Sequence, residues 1–163
     1  MTDVDEGATA GGGSEPDERR AEAQENRAET VERRFAASAE QVPAIVAFVM
    51  EHAEPWGVHQ RRRMQLQLAL EEAVVNICDY AYETPPGEIV MRVEPSTTRF
   101  AVELVDEGVP FDPLAVEEPD LRSEARERPV GGLGILLVRR VIDEVTYRRA
   151  GGRNILRLVI GRT

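Results

Sequence analysis

Hydrophobic positions change period several times along this chain, and each change marks an element. Val42, Ile45, Val46, Phe48 and Val49 recur at the spacing of one helix face. Ser38 followed by Gln41 fits a capping box ahead of them, and Pro55-Trp56-Gly57 ends the helix. A longer helix is expected from about 58 to 82, with Met64, Leu66, Leu68, Ala69, Ala73, Asn76, Ile77 and Tyr80 as its inward stripe. After the turn Pro85-Pro86-Gly87 the period drops to two. Residues 88–93 and 97–105 read as a strand pair, with Phe100, Val102 and Leu104 buried on one face. Residues 30–36 predict an edge strand, and 145–149 with 154–160 close the chain as a hairpin around Gly151-Gly152.

Two segments remain. Residues 106–130 form a long loop rich in Pro, Asp, Glu and Arg, the length of a lid. A glycine turn at 131–134 then feeds a helix of about 133–143. Strand, two helices, two strands, lid, helix, two strands predicts an α+β fold. Its form is a two-layer sandwich, with helices on one face of a mixed, mostly antiparallel sheet.

With 163 residues, 42% of them hydrophobic, the chain suits one domain with a real core. Residues 1–34 hold ten carboxylates against five arginines, contain Gly11-Gly12-Gly13, and have few large apolar residues before Val31. Such a segment cannot bury enough surface to offset its ordering entropy, so 1–28 is expected to be a disordered acidic tail and 29–163 the folded domain. A net charge of −10 argues against nucleic acid and anionic membrane as partners. No stretch reaches the ~18 apolar residues of a membrane helix, and the N-terminus lacks a secretory signal. Cys78 has no second cysteine to pair with, which favours a reduced, cytoplasmic setting. All 20 basic residues are arginine, so a cation on a bound phosphate has to be Arg or a metal ion.

Three segments carry the chemistry. Glycines 131, 132 and 134 bring backbone N–H groups and a helix N-terminus to one place, which suits a phosphate. Glu72 and Asn76, four residues apart, share a helix face. A buried Asn left unpaired costs about 1–3 kcal/mol. Asn76 therefore either bonds a neighbouring loop or offers its carbonyl to a hard cation such as Mg²⁺. Glu72 would then face the same pocket as a general base, whereas Glu71 reads as a surface charge. Asp106, at a strand end, is followed by Gly108. That pair is either an Asp-Gly turn or an acceptor for an exocyclic amine with room for a base ring.

In order, Glu72-Ala-Val-Val-Asn76, Asp106-Glu-Gly108 with Pro110-Phe111-Asp112, and Arg128-Pro-Val-Gly-Gly-Leu-Gly134 resemble a known set of motifs. They are those of the fold shared by gyrase, the Hsp90 chaperones, histidine kinases and MutL (the GHKL superfamily). The resemblance runs from Thr30 to the C-terminus. Within the superfamily it is nearest to the small bacterial anti-sigma factor serine kinases. It implies the GHKL (Bergerat) ATP-binding fold, with ATP and Mg²⁺ as cofactors. Asn76 would hold the metal, Asp106 the adenine amine, and Gly108 would lie on the ring. Gly131, Gly132 and Gly134 would cradle the phosphates, Arg128 would reach the γ-phosphate, and Glu72 would activate the attacking hydroxyl.

The resemblance further implies a kinase that phosphorylates an anti-anti-sigma (STAS-type) protein and sequesters a sigma factor or equivalent target, as a homodimer. Two positions depart from the pattern. Pro110 stands where many members have glycine. Asn154 stands near a Thr or Ser that contacts the nucleotide, a contact an amide can reproduce. The alternatives are a non-catalytic nucleotide-binding partner-switch module and a detached histidine kinase catalytic domain. His52 and His59 flank Pro55-Trp56-Gly57 rather than a dimerisation helix, which argues against a complete histidine kinase.

Overall fold

The computed structural model describes residues 29–84, 86–115 and 132–163. The expected tail 1–28, Arg128, Gly131 and most of the 106–130 loop lie outside the described residues. The elements run β1 (Val31–Ala37), a 3-10 turn (Ala39–Gln41), α1 (Val42–Ala53), α2 (Gln60–Tyr80), β2 (Gly87–Pro95), β3 (Arg99–Asp106), α3 (Gly132–Val141), β4 (Glu144–Ala150) and β5 (Arg153–Gly161). The five strands form one sheet in the order β1-β2-β3-β5-β4. Every pairing is antiparallel, so the sheet is not mixed. The fold is the expected α+β sandwich.

One continuous core joins helices to sheet. Ile45, Phe48 and Val49 of α1 and Leu66, Leu70 and Val74 of α2 pack with Ile89, Met91, Val93, Phe100, Val102, Leu104, Leu158 and Ile160. Phe48 meets Phe35 of β1 edge-to-face, with ring centroids 5.8 Å apart. Leu66 is fully buried, and emptying such a site costs about 2–5 kcal/mol.

Helix α2 corrects the expected stripe. Met64, Leu68 and Tyr80 are 65%, 39% and 46% exposed, and Leu70 and Val74 take the inward places. At about 100° per residue, Leu66, Leu70, Ala73 and Val74 cluster on one side while Met64 and Leu68 fall opposite. The stripe had mixed residues from both sides. The capping box is not formed either: the Ser38 side chain makes no cap hydrogen bond, and the 3-10 turn with Pro43 opens α1 instead.

On β3 the inward residues are buried as expected, but so are the outward Ala101, Glu103 and Val105. An ion-pair row crosses the outer sheet face above them. Arg92 bonds Glu32 at 2.7 Å and lies 3.6 Å from Glu103. Arg157 meets Glu103 at 3.2 Å and Glu94 at 2.8 Å. Glu32, Arg92, Glu103 and Arg157 are in register across four strands, so signs alternate between nearest neighbours.

Candidate nucleotide site

The cleft lies where the C-terminal half of α2 crosses the ends of β3, β4 and β5. As it stands it is a narrow, partly open cavity of about 30 Å³. Ala73, Ile77, Ala81, Phe111, Pro113 and Leu156 supply apolar walls, and Asn76, Asp106, Tyr147 and Asn154 supply the polar groups. Apolar walls with a few fixed polar atoms are the lining a heteroaromatic ring requires.

Asp106 is the last residue of β3 and is 5% exposed. Its Oδ1 accepts the Gly108 N–H at 2.9 Å and an Asn154 Nδ2–H at 2.8 Å. The Asp-Gly turn therefore exists, and it uses only one carboxylate oxygen. Burial pushes the Asp106 carboxyl up from the ordinary carboxylate range, while Asn154, Gly108 and the charge of Arg149 pull it down.

Gly108 also has a local reason, beside any room for a base. A β-carbon there would lie 2.4 Å from the Ala81 carbonyl oxygen and 2.5 Å from the Ala81 β-carbon. The next residue, Val109, donates its N–H to that same carbonyl at 2.8 Å. The glycine lets the strand end lie against the C-terminus of α2. Tyr82 braces the same corner, donating to the Glu88 carbonyl at 2.6 Å and accepting from the Glu107 N–H at 3.1 Å.

Asn76 lines the cleft one helical turn after Glu72. Its Nδ2 is buried with no hydrogen-bond partner among the described residues. Carboxamide O and N are assigned from their bonding partners. An amide with a buried, unpartnered end leaves both expectations open, a structural bond to a loop and a carbonyl offered to a cation. Among the described residues no group of three or more His, Cys, Asp or Glu could hold a metal ion. Phosphate oxygens and water are the usual remaining ligands of a Mg²⁺ ion held by one or two protein oxygens.

Glu72 is half-buried and turns towards α3, where its carboxylate lies against Gly134. Helix α3 begins at Gly132, so Gly132 and Gly134 both belong to its first turn. A negative side chain there meets the end of the helix that favours anions. Glu71 is a surface charge as expected, accepting from Gln67 Nε2 at 2.9 Å.

Sequence reasoning missed Tyr147 and Arg149. Tyr147 donates its hydroxyl to Asn154 Oδ1 at 2.8 Å. Arg149 Nη1 donates to the same oxygen at 2.7 Å and to the Gly108 carbonyl at 3.1 Å. A signal was present. Gly151 and Gly152 have φ of 58° and 78°, as a two-residue hairpin turn requires. That register sets Arg149 opposite Asn154.

Residues 35–160 match the model of the histidine kinase-like ATPase domain. The chain is 30% identical over 100 residues to the serine/threonine-protein kinase BtrW of Bordetella bronchiseptica, covering 60% of this chain and 70% of that one. It is 27% identical over 134 residues to the serine-protein kinase RsbW of Bacillus thuringiensis, covering 80% and 84%. The crystal structure of the RsbU and RsbW domains of Rv1364c from Mycobacterium tuberculosis superposes with a TM-score of 0.55 at 13% identity. That match covers 81% of this chain and 31% of the longer one, and it speaks for the fold alone.

Proposed function

The chain belongs to the histidine kinase-like ATPase domain family, and from that premise we propose that it is an ATP-dependent protein-serine kinase. Its substrate would be a small anti-anti-sigma protein of STAS type, and its sequestered target a sigma factor or an equivalent protein. The observation that carries this reading is the continuity of one site along α2. The cleft with Asp106 and Asn76 leads within one helical turn to Glu72 at the first turn of α3.

In this reading the adenine ring lies between the apolar walls and gives its amine hydrogen to Asp106. Asn76 would hold Mg²⁺, which when bound neutralises phosphate charge. Glu72 accepts the proton of the attacking serine hydroxyl as the serine oxygen bonds to the γ-phosphorus and the bond from that phosphorus to the bridging oxygen breaks, leaving ADP. Phosphoryl transfer asks little more of a protein than positioning and charge stabilisation. The relatives named as serine kinases support the reaction class.

The test is transfer of labelled γ-phosphate from ATP to a STAS-type protein, with Glu72→Gln beside wild type. We expect the variant to bind ATP and partner almost normally and to transfer ~10²–10⁴-fold more slowly. Wild type that binds both and never transfers phosphate would sink the kinase reading in favour of a non-catalytic partner-switch module. A variant as fast as wild type would take the base role from Glu72.

A further inference from the structure

We infer that Asn154 is a positioning residue that sets base specificity: it clamps Asp106 so that one carboxylate oxygen meets the ligand, making the cleft select a 6-amino purine over a 6-oxo purine. The inference rests on the nucleotide reading above and goes beyond it, because Asn154 then acts through Asp106 rather than by touching the nucleotide.

The argument is a count of valences. A carboxamide has two N–H hydrogens and two oxygen lone pairs. Asn154 donates to Asp106 Oδ1 at 2.8 Å and to the Val109 carbonyl at 2.9 Å. Its Oδ1 accepts from Tyr147 at 2.8 Å and Arg149 at 2.7 Å. All four positions are used inside the protein. The expectation that this amide contacts the nucleotide directly would require one of these bonds to break.

Amide orientation is not open to choice. A guanidinium only donates, so the atom facing Arg149 is oxygen. A carbonyl only accepts, so the atom facing Val109 is nitrogen, and a donor necessarily faces Asp106. Arg149 is what makes the clamp one-way.

Asp106 feels the result. Its Oδ1 has both lone pairs engaged, by Gly108 and by Asn154. Among the described residues no hydrogen bond reaches Oδ2. The carboxylate cannot rotate about its last bond without losing two hydrogen bonds, so it presents a single fixed acceptor. A 6-amino group supplies the matching donor. A 6-oxo group brings a second acceptor against it, and a clamped carboxylate cannot turn aside.

The experiment is calorimetric titration of the full chain with ADP and with IDP, which differ at the 6-position and N1 of the base. Wild type, Asn154→Ala and Arg149→Met are compared, each melted without ligand to confirm folding. For wild type we expect ADP to bind at least about tenfold tighter than IDP. In Asn154→Ala the freed carboxylate turns, ADP weakens about tenfold, IDP changes less, and the ratio falls to within about threefold of one. Arg149→Met, at the surface, lowers the ratio by an intermediate amount and decides the matter if Asn154→Ala does not fold. A lesion that is merely structural weakens both ligands and keeps their ratio. A wild-type preference kept in full by the folded variants overturns the inference and leaves the nucleotide reading standing. Wild type that binds neither ligand, or both equally, overturns the reading of Asp106 and this inference with it.

Discussion

Glu72 and Gly134 meet across two helices: a β-carbon on Gly134 would sit 1.9 Å from Glu72 Oε2. A side chain there would push the Glu72 carboxylate aside, so the glycine in α3 lets that carboxylate rest where it does. Gly134→Ala improves helix propensity, so the fold survives while the carboxylate is displaced. We expect phosphoryl transfer to fall at least ~10-fold with ATP affinity changed far less. Transfer rates at saturating ATP, compared with ATP affinity, check this. Equal losses in both would make Gly134 a phosphate contact instead of a seat for Glu72.

Asp106→Asn should weaken ATP binding about 10–100-fold, the effect of losing a charged hydrogen-bond acceptor. The amide presents a donor to the adenine amine as readily as an acceptor. Calorimetric titration measures it, and unchanged affinity would remove Asp106 from the site.

Asn76→Ala should weaken the Mg²⁺-dependent part of ATP binding and leave ADP binding without metal nearly as it was. Titrations with Mg²⁺ and with a chelator separate the two. Equal losses under both conditions would mean that Asn76 is structural.

Asp143, just after α3, accepts the Gly161 N–H at 2.7 Å and pairs with Arg62 of α2. The Gly161 hydrogen bond above all holds its carboxyl below the ordinary range; burial, next in size, opposes it, and the hydrogen bond and charge of Arg62 with the charge of Arg99 add to the lowering. A depressed folded pKa adds stability above the unfolded value of about 3.9, and that contribution is lost as pH falls through the folded value. Asp143→Asn should therefore cost about 1 kcal/mol at neutral pH, discounted for a half-exposed side chain. The difference from wild type should close in acid below about pH 4. Denaturant unfolding at several pH values checks this, and a difference that persists at the most acid pH would contradict it.

Local sequence was enough for the elements, because hydrophobic period is a local consequence of backbone geometry. Phe100, Val102 and Leu104 alternate and line the core, and Glu72 and Asn76 share a face because a helix repeats every 3.6 residues. The antiparallel end of the chain was equally legible, since Gly151-Gly152 imposes its own register.

Tertiary structure decided the rest, because it depends on what lies opposite. Leu70 rather than Leu68 faces the core, a choice made by where the sheet stands relative to α2. Glu103 is buried because Arg92 and Arg157 flank it in register. Ala81, 27 residues away in sequence, leaves no room for a β-carbon at Gly108, and the Glu72 carboxylate lies against Gly134. Asn154 read alone predicts a ligand contact and says nothing of its partners inside the protein. Its four hydrogen bonds go to two segments, 106–109 and 147–149, and only the folded sheet brings both beside this residue of β5.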